Sequence, residues 1–190
     1  MTVNEEAEPL LEVIDLSVTF MSSGVVTQIL DNVSFQLGRH KTLGILGESG
    51  SGKTMTALSI LHLITSPPLS GMSGKILFQG LDLLKCSDTD LKKIRGKHIA
   101  YIFQEPATAL NPVLTIGDQI IEMIQAHKDL NKKNAKEMAI DLLTEVGISS
   151  PSLRMKNYPH EISGGMRQRA MIATALSCNP DILIAAEVVA

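Results

Sequence analysis

The stretch GESGSGKT at residues 47–54 constrains this chain more than any other. Gly47 and Gly52 bracket it, Glu48, Ser49, Gly50 and Ser51 lie between them, and Lys53 and Thr54 close it. Glycines let a backbone curl until successive N–H groups converge on one point, and a helix beginning there adds the positive end of its dipole. Such a loop suits an anion. The lysine supplies a point charge for the β- and γ-phosphates of a nucleotide, and the threonine supplies a hydroxyl for magnesium. Both flanks agree with that reading. TLGILG, just before, reads as a strand buried on both faces, and residues 53–64 carry a helical pattern that SPP at 66–68 stops. A glycine-rich turn that merely reverses the chain requires neither the lysine and hydroxyl nor these flanks.

The rest of the chain predicts an α/β architecture with added subdomains. Residues 10–20 and 29–37 alternate in part and are rich in β-branched side chains, with SSG between them, which predicts an antiparallel pair. KILFQGLDL reads as one more strand, and Ser87 and Asp90 as a capping box before a short helix. HIAYIF at 98–103 and ILIA at 182–185 read as buried strands. Between them the pattern turns helical at 116–128 and 131–146. The second helix has Ala135, Met138, Ala139, Leu142, Leu143 and Val146 on one stripe and Gly147 as its C-cap. That stripe reads as core packing, methionine included. A further helix runs from SGG at 163–165 to about Ser177. Parallel strands alternating with helices, preceded by an antiparallel pair, give this fold class.

Composition narrows the function. With 190 residues, 44% apolar and 19% charged, the chain has the make-up of one ordinary soluble domain. A net charge of -3 argues against a sequence-independent nucleic-acid binder and against a lysine-rich membrane anchor. No apolar run approaches the ~20 residues of a membrane span, and the first ten residues are acidic where a signal peptide is basic, so a cytosolic chain is expected. Cys86 and Cys178 have no paired spacing and read as free thiols. Aromatic residues make up 3% and tryptophan is absent, which disfavours base-stacking platforms.

A second motif, EISGGMRQRAMIATAL, places Ser163, Gly164 and Gly165 at a helix start where no side chain shields the leading N–H groups. One nucleotide carries one triphosphate, and loop 47–54 already cradles it. The second helix end therefore serves the γ-phosphate of a nucleotide held by another subunit, which predicts a head-to-tail dimer with two ATPs at its interface. Taken alone, SGG is only a helix-starting turn.

GESGSGKT, the glutamine of IFQEP and ISGGMRQR, in that order, resemble the Walker A, Q-loop and signature motifs of an ABC-transporter ATPase. IFQEPATALNPVLTIGDQI and YPHEISGGMRQRAMIATALSCNP resemble, more narrowly, the ATP-binding subunits of bacterial dipeptide, oligopeptide, glutathione and nickel importers. The resemblance implies an α/β P-loop NTPase core of the ABC ATPase type, carrying an antiparallel β subdomain and a helical subdomain, with C-terminal strands missing. It implies a single ABC ATPase domain over 1–190, incomplete at its C-terminus. In it, 1–104 form the β subdomain and phosphate-loop core, 105–165 the helical subdomain, and 166–190 the signature helix and Walker B strand. ATP and Mg2+ are the implied cofactors. The implied partners are a second ABC ATPase subunit, identical or related, two membrane permease subunits and, indirectly, a solute-binding protein, with no nucleic acid. The implied location is the cytoplasmic face of the bacterial inner membrane, held peripherally.

Carried over position by position, the resemblance matches Phe20 to the aromatic that stacks on adenine; as an ordinary core-facing strand residue it needs no such role. Gln104 matches the glutamine that touches magnesium and the attacking water and that begins the link into the helical insert. Residues 105–128 match the surface that receives the membrane subunit's coupling helix, and Tyr158 and His160 are expected to pack or hydrogen-bond. Where the family reads Asp-Glu-Pro, this chain reads Ala186, Glu187, Val188. Glu187 matches the general base, but Ala186 cannot hold a cation, and no histidine follows it to act as the switch. Three expectations follow: hydrolysis impaired more than nucleotide binding, a chain shortened within the Walker B region, and marginal stability from an exposed strand at 182–185. Two functions stay open. One is an ATP-hydrolysing subunit that energises import of peptides or a similar small solute, nickel and glutathione included; the other is a remnant that binds nucleotide or a partner without turnover. A DNA-repair or chromosome-structure ATPase is disfavoured, because the helical insert lacks sustained heptads.

Overall fold

A computed structural model describes residues 8–64, 68–105 and 109–186. The chain divides into two compact units, one reaching to Leu91 and the other beginning at Lys92.

The first unit is built on an antiparallel sheet of β1 (Leu11–Ser22), β2 (Val25–Leu37), β3 (Leu69–Phe78) and β4 (Leu81–Asp82), in the order β2-β1-β3-β4. Ser23 and Gly24 both have positive φ, 50° and 80°, so a two-residue primed turn joins Ser22 to Val25 with the twist the strands require. The SSG signal was therefore a hairpin turn, as expected. Gln79 and Gly80 repeat that geometry at 49° and 81°, which corrects the reading of KILFQGLDL as one strand: the run is broken into β3 and β4. Along β1 the buried residues are Leu11 and Val13, then Leu16 and Val18. The change of phase falls at a bulge where Asp15 takes φ 48°, with its N–H donated to Ser34 Oγ at 2.8 Å. Across from it Gly74 has φ +99°, and a Cβ there would lie 2.5 Å from the carbonyl oxygens of Ile14 and Asp15, so the close approach requires glycine.

α1 (Lys53–Ile60) ends four residues sooner than the helical pattern suggested. His62 takes the left-handed conformation, φ 50°, donating its N–H to Ser59 O at 3.0 Å while Leu63 donates to Leu58 O at 2.9 Å. That pair of bonds closes the helix before the prolines, of which Pro67, with Ser66, lies outside the described residues. The expected strand at 42–47 is a second correction. Residues 41–48 form no regular element among the described residues, and Leu43, Ile45 and Leu46 are 42%, 45% and 93% exposed. A short apolar run becomes a strand only through ladder partners, and it has none among the described residues.

α2 (Asp88–Ile94) starts at the expected pair, with the Asp90 N–H donated to Ser87 Oγ at 3.2 Å, as in a capping box, and the Ser87 Oγ–H donated to Asp90 Oδ2 at 2.7 Å. In the second unit β5 (Ile99–Ile102) runs parallel to β6 (Ile182–Ala185), with Ile99 opposite Ile182 and Ile102 opposite Ala185. Around them come α3 (Ile116–His127), α4 (Lys132–Glu145), the one-turn α5 (Pro151–Arg154) and α6 (Gly164–Leu176). Ile116, Ile120 and Ile124 of α3, Ala135, Ala139, Leu142 and Leu143 of α4, and Ala170 and Ala173 of α6 share one core. Each fully buried isoleucine or leucine among them contributes about 1.5–3 kcal/mol of burial, and each alanine less than that. The expected stripe on α4 thus faces inward, with Met138 and Val146 at its margin. Gly147, φ +76°, ends α4 by donating to Thr144 O at 2.9 Å, and Ile148 donates to Leu143 O at 2.9 Å.

Candidate nucleotide site

In the first unit, the Ser51 N–H closes a turn onto Glu48 O at 3.2 Å, with Gly50 inside it at φ +83° and Gly52 just after it at φ +91°. Gly52 is the N-cap of α1, and its Cβ would meet Leu30 Cδ2 at 2.6 Å, so β2 fixes the point where the helix begins. A Cβ on Gly47 would lie 2.6 Å from Ser51 Oγ, so the two ends of the loop are pressed together. No side chain caps α1 and no acidic residue stands in its first turn, which leaves the helix's leading N–H groups for an anion. Lys53 Nζ donates to Gly47 O and Glu48 O, each at 2.6 Å, and to Ser51 Oγ at 3.3 Å. The ammonium is thereby held over the loop by two carbonyls and a hydroxyl, with Thr54 exposed beside it. These residues fit a triphosphate: positive-φ glycines, an uncapped helix end and a cation aimed inward. They do not fit a protein-bound magnesium ion as well. Thr54 offers one neutral hydroxyl, and the described residues contain no group of three His, Cys, Asp or Glu able to hold a metal.

In the second unit, Ser163 caps α6 by accepting the Met166 N–H at 3.3 Å. Ser163, Gly164 and Gly165 are exposed, a Cβ on Gly165 would meet nothing within 4 Å, and the first turn carries no acid. The helix start is therefore open to an anion. Ala170 and Ala173 seat α6 in the helical core, and Met171 and Ala175 pack on Ala100 and Ile102. Arg169 donates to Gly147 O at 2.7 Å, placing a guanidinium at the negative end of α4.

Gln104 lies exposed two residues beyond β5, and Ala186 follows β6 with its N–H donated to Ile102 O at 3.0 Å. The two positions emerge from the same end of the parallel pair, where ligands of open α/β sheets sit. Glu187 is outside the described residues. Phe20 is half-buried near the end of β1, opposite Thr27 and Leu69. Tyr158 and His160 stack on each other, centroids 5.6 Å apart, at the approach to α6. Beside them Glu161 accepts the Tyr158 N–H at 2.8 Å and an Asn157 amide N–H at 3.1 Å, bonds that together hold its carboxyl below the usual range. Neither Asn157 nor Glu161 was singled out from sequence. The signal available was a glutamate three residues after the turn's first residue, with Pro159 between, which is the spacing of a capping box.

A groove of about 510 Å³ runs over α3, lined by Leu114, Asp118, Ile121, Glu122, Gln125 and Lys132. Among the described residues no helix is long and apolar enough to cross a membrane.

The first unit thus carries a glycine loop on the N-terminus of α1, and the second an open helix start at α6 and a glutamine beyond a parallel strand. The sequence profile of the ABC transporter family matches residues 30–190, and the chain belongs to that family. It is 46% identical over 187 residues to a probable peptide ABC transporter ATP-binding protein of Sinorhizobium fredii, covering 98% of this chain and 56% of that one. It is 47% identical over 178 residues to the oligopeptide transport ATP-binding protein OppD of Bacillus subtilis, covering 94% of this chain and 50% of that one. The chain thus spans about half the length of the curated relatives it matches. Among solved structures, a dimeric bacterial ABC transporter cassette superposes with a TM-score of 0.80 at 24% identity, over 92% of this chain and 72% of that one. A part of the cbiONQ ABC transporter complex from Clostridium perfringens superposes with a TM-score of 0.71 at 22% identity, over 93% of this chain and 64% of that one. These superpositions confirm the ABC ATPase fold.

Proposed function

We propose that the chain is the ATP-binding portion of a subunit that energises import of peptides or a similar small solute through a separate pair of membrane permeases. The observation that carries the proposal is the loop at 47–54, with Lys53 held inside it on Gly47 O and Glu48 O at 2.6 Å and the N-terminus of α1 uncapped. On ATP binding the phosphates take over the ammonium from these carbonyls and receive the loop's N–H groups. Phe20 offers a face to the adenine. Ser163, Gly164 and Gly165 of a second copy, or of a close relative, close over the γ-phosphate, which makes the working unit a dimer. Gln104 senses the γ-phosphate, and Glu187 is assigned the role of general base. Residues 105–128, with the acidic groove on α3, receive the membrane subunit's coupling helix, which places the chain at the cytoplasmic face of the bacterial inner membrane. Magnesium, if recruited, is held by the phosphates and Thr54.

One observation favours a second reading, a nucleotide binder with little turnover: Ala186, just after β6, offers a methyl group where the family pattern has a carboxylate. Calorimetry with ATP tests the main proposal. ATP should bind, and Lys53→Ala should weaken binding by about 10–100-fold, the cost of one charge-assisted contact. Affinity that is absent, or untouched by this substitution, rejects the assignment. Phosphate release measured on the same samples separates the two readings.

A further inference from the structure

The first turn of α3 and the approach to α6 lie about 40 residues apart in sequence and meet at one residue, Asn157. The leading N–H groups of a helix need acceptors from outside it. In α3 they come from the chain ahead of α6: Ile116 N–H donates to Asn157 O at 2.9 Å and Gly117 N–H to Met155 O at 2.9 Å. The approach is tight enough to require glycine, since a Cβ on Gly117 would lie 2.7 Å from Met155 O. Asn157 then turns its side chain the other way. Its Nδ2 donates to Glu161 Oε2 at 3.1 Å, and Oδ1 accepts from an Arg154 guanidinium N–H at 3.3 Å. Glu161 holds the Tyr158 N–H with the same oxygen, and Ile162 and Ser163 follow directly. Ile116 and Ile162 are both buried in one core, so neither end of the link swings freely.

We propose that Asn157 is a positioning residue that ties the first turn of α3 to the turn leading into α6, so that a shift of α3 is delivered to the helix start at Ser163. This rests on the functional reading above, in which α3 faces the membrane subunit and Ser163 faces the nucleotide. Asn157 touches neither. Its backbone carbonyl holds one element and its amide holds the other, so the two move together or the bonds break.

Backbone amide hydrogen exchange of the full chain, without nucleotide, tests the link. Asn157→Ala and Glu161→Ala should each raise exchange about tenfold at Met166 and also at Ile116. The double variant should go no further than either single one, because both remove the same connection. Glu161→Gln keeps an acceptor and should keep the parent's protection at both amides. Changes confined to residues 157–162, or additive effects in the double variant, overturn the proposal. If Asn157→Ala unfolds the helical core, protection is lost throughout α4 as well; Glu161→Ala, whose side chain is exposed, then decides the matter by the Ile116 amide. Nucleotide plays no part in this measurement. Failure to bind ATP would count against the functional reading and leave the link standing, whereas silent Ile116 exchange removes the link with the nucleotide site intact.

Discussion

At Ala186 the backbone is fixed by its N–H bond to Ile102 O, while the side chain contributes one methyl group. Aspartate placed there keeps the ladder and adds a carboxylate beyond β6. Ala186→Asp should raise magnesium-dependent phosphate release by about tenfold or more, the worth of one charge-assisted contact, with a smaller change in ATP affinity. An unchanged rate in a folded variant would show that turnover is limited elsewhere. Glu161 offers a second residue-scale test. Its folded pKa lies below its unfolded value, so its contribution to stability is present above the ordinary glutamate range and is lost as pH falls through the folded value. Urea unfolding at stepped pH should therefore show a steeper acid loss in the parent than in Glu161→Gln. Coincident profiles would mean that its two bonds are idle in solution. Both residues illustrate what sequence does and does not carry. Ala186 stood out because a motif defines what belongs there, whereas Glu161 works inside a one-turn cap, accepting the Tyr158 N–H, and no motif reserves its place.

Among elements, those that read best from sequence were the ones whose signal is local. The β1–β2 hairpin announced itself through alternation around SSG, and α3 and α4 through their periodicity, with Thr115 and Asn131 as caps that accept from Asp118 and Asn134. Failures occurred where identity depends on distant partners or on an unusual residue at a turn. The run at 42–47 looks like a strand but finds no ladder, α1 ends on a left-handed histidine rather than a glycine, and the Gln79 and Gly80 turn hides inside an apolar stretch. The Gly147 cap is testable on this scale. Its φ of +76° disfavours any side chain, and a Cβ would also press on Arg169 NH1 at 3.2 Å. Gly147→Ala should lower unfolding stability by about 1–2 kcal/mol in a urea titration, with the loss shared by α4 and α6. A stability equal to the parent's would mean that the cap relaxes at no cost.

For the whole molecule, the order of three short motifs was enough to state the family, because that order does not depend on the details of one core. What the motifs could not give is the division into two units at Leu91, which no composition shift marks. The bare segment ahead of the phosphate loop has a consequence in the test tube. Leu43, Ile45 and Leu46 present both apolar side chains and unladdered backbone, the template onto which a neighbouring chain adds as an extra strand. Concentrated samples should therefore scatter light increasingly over time whether or not ATP is present, a clumping distinct from the nucleotide-bound dimer proposed above. Leu46→Lys, at a side chain that buries almost nothing, should slow that clouding and leave the urea midpoint unchanged. Equal clouding in both proteins would locate the sticky surface elsewhere. A single lysine of this kind would give crystallographers and calorimetrists a better-behaved sample.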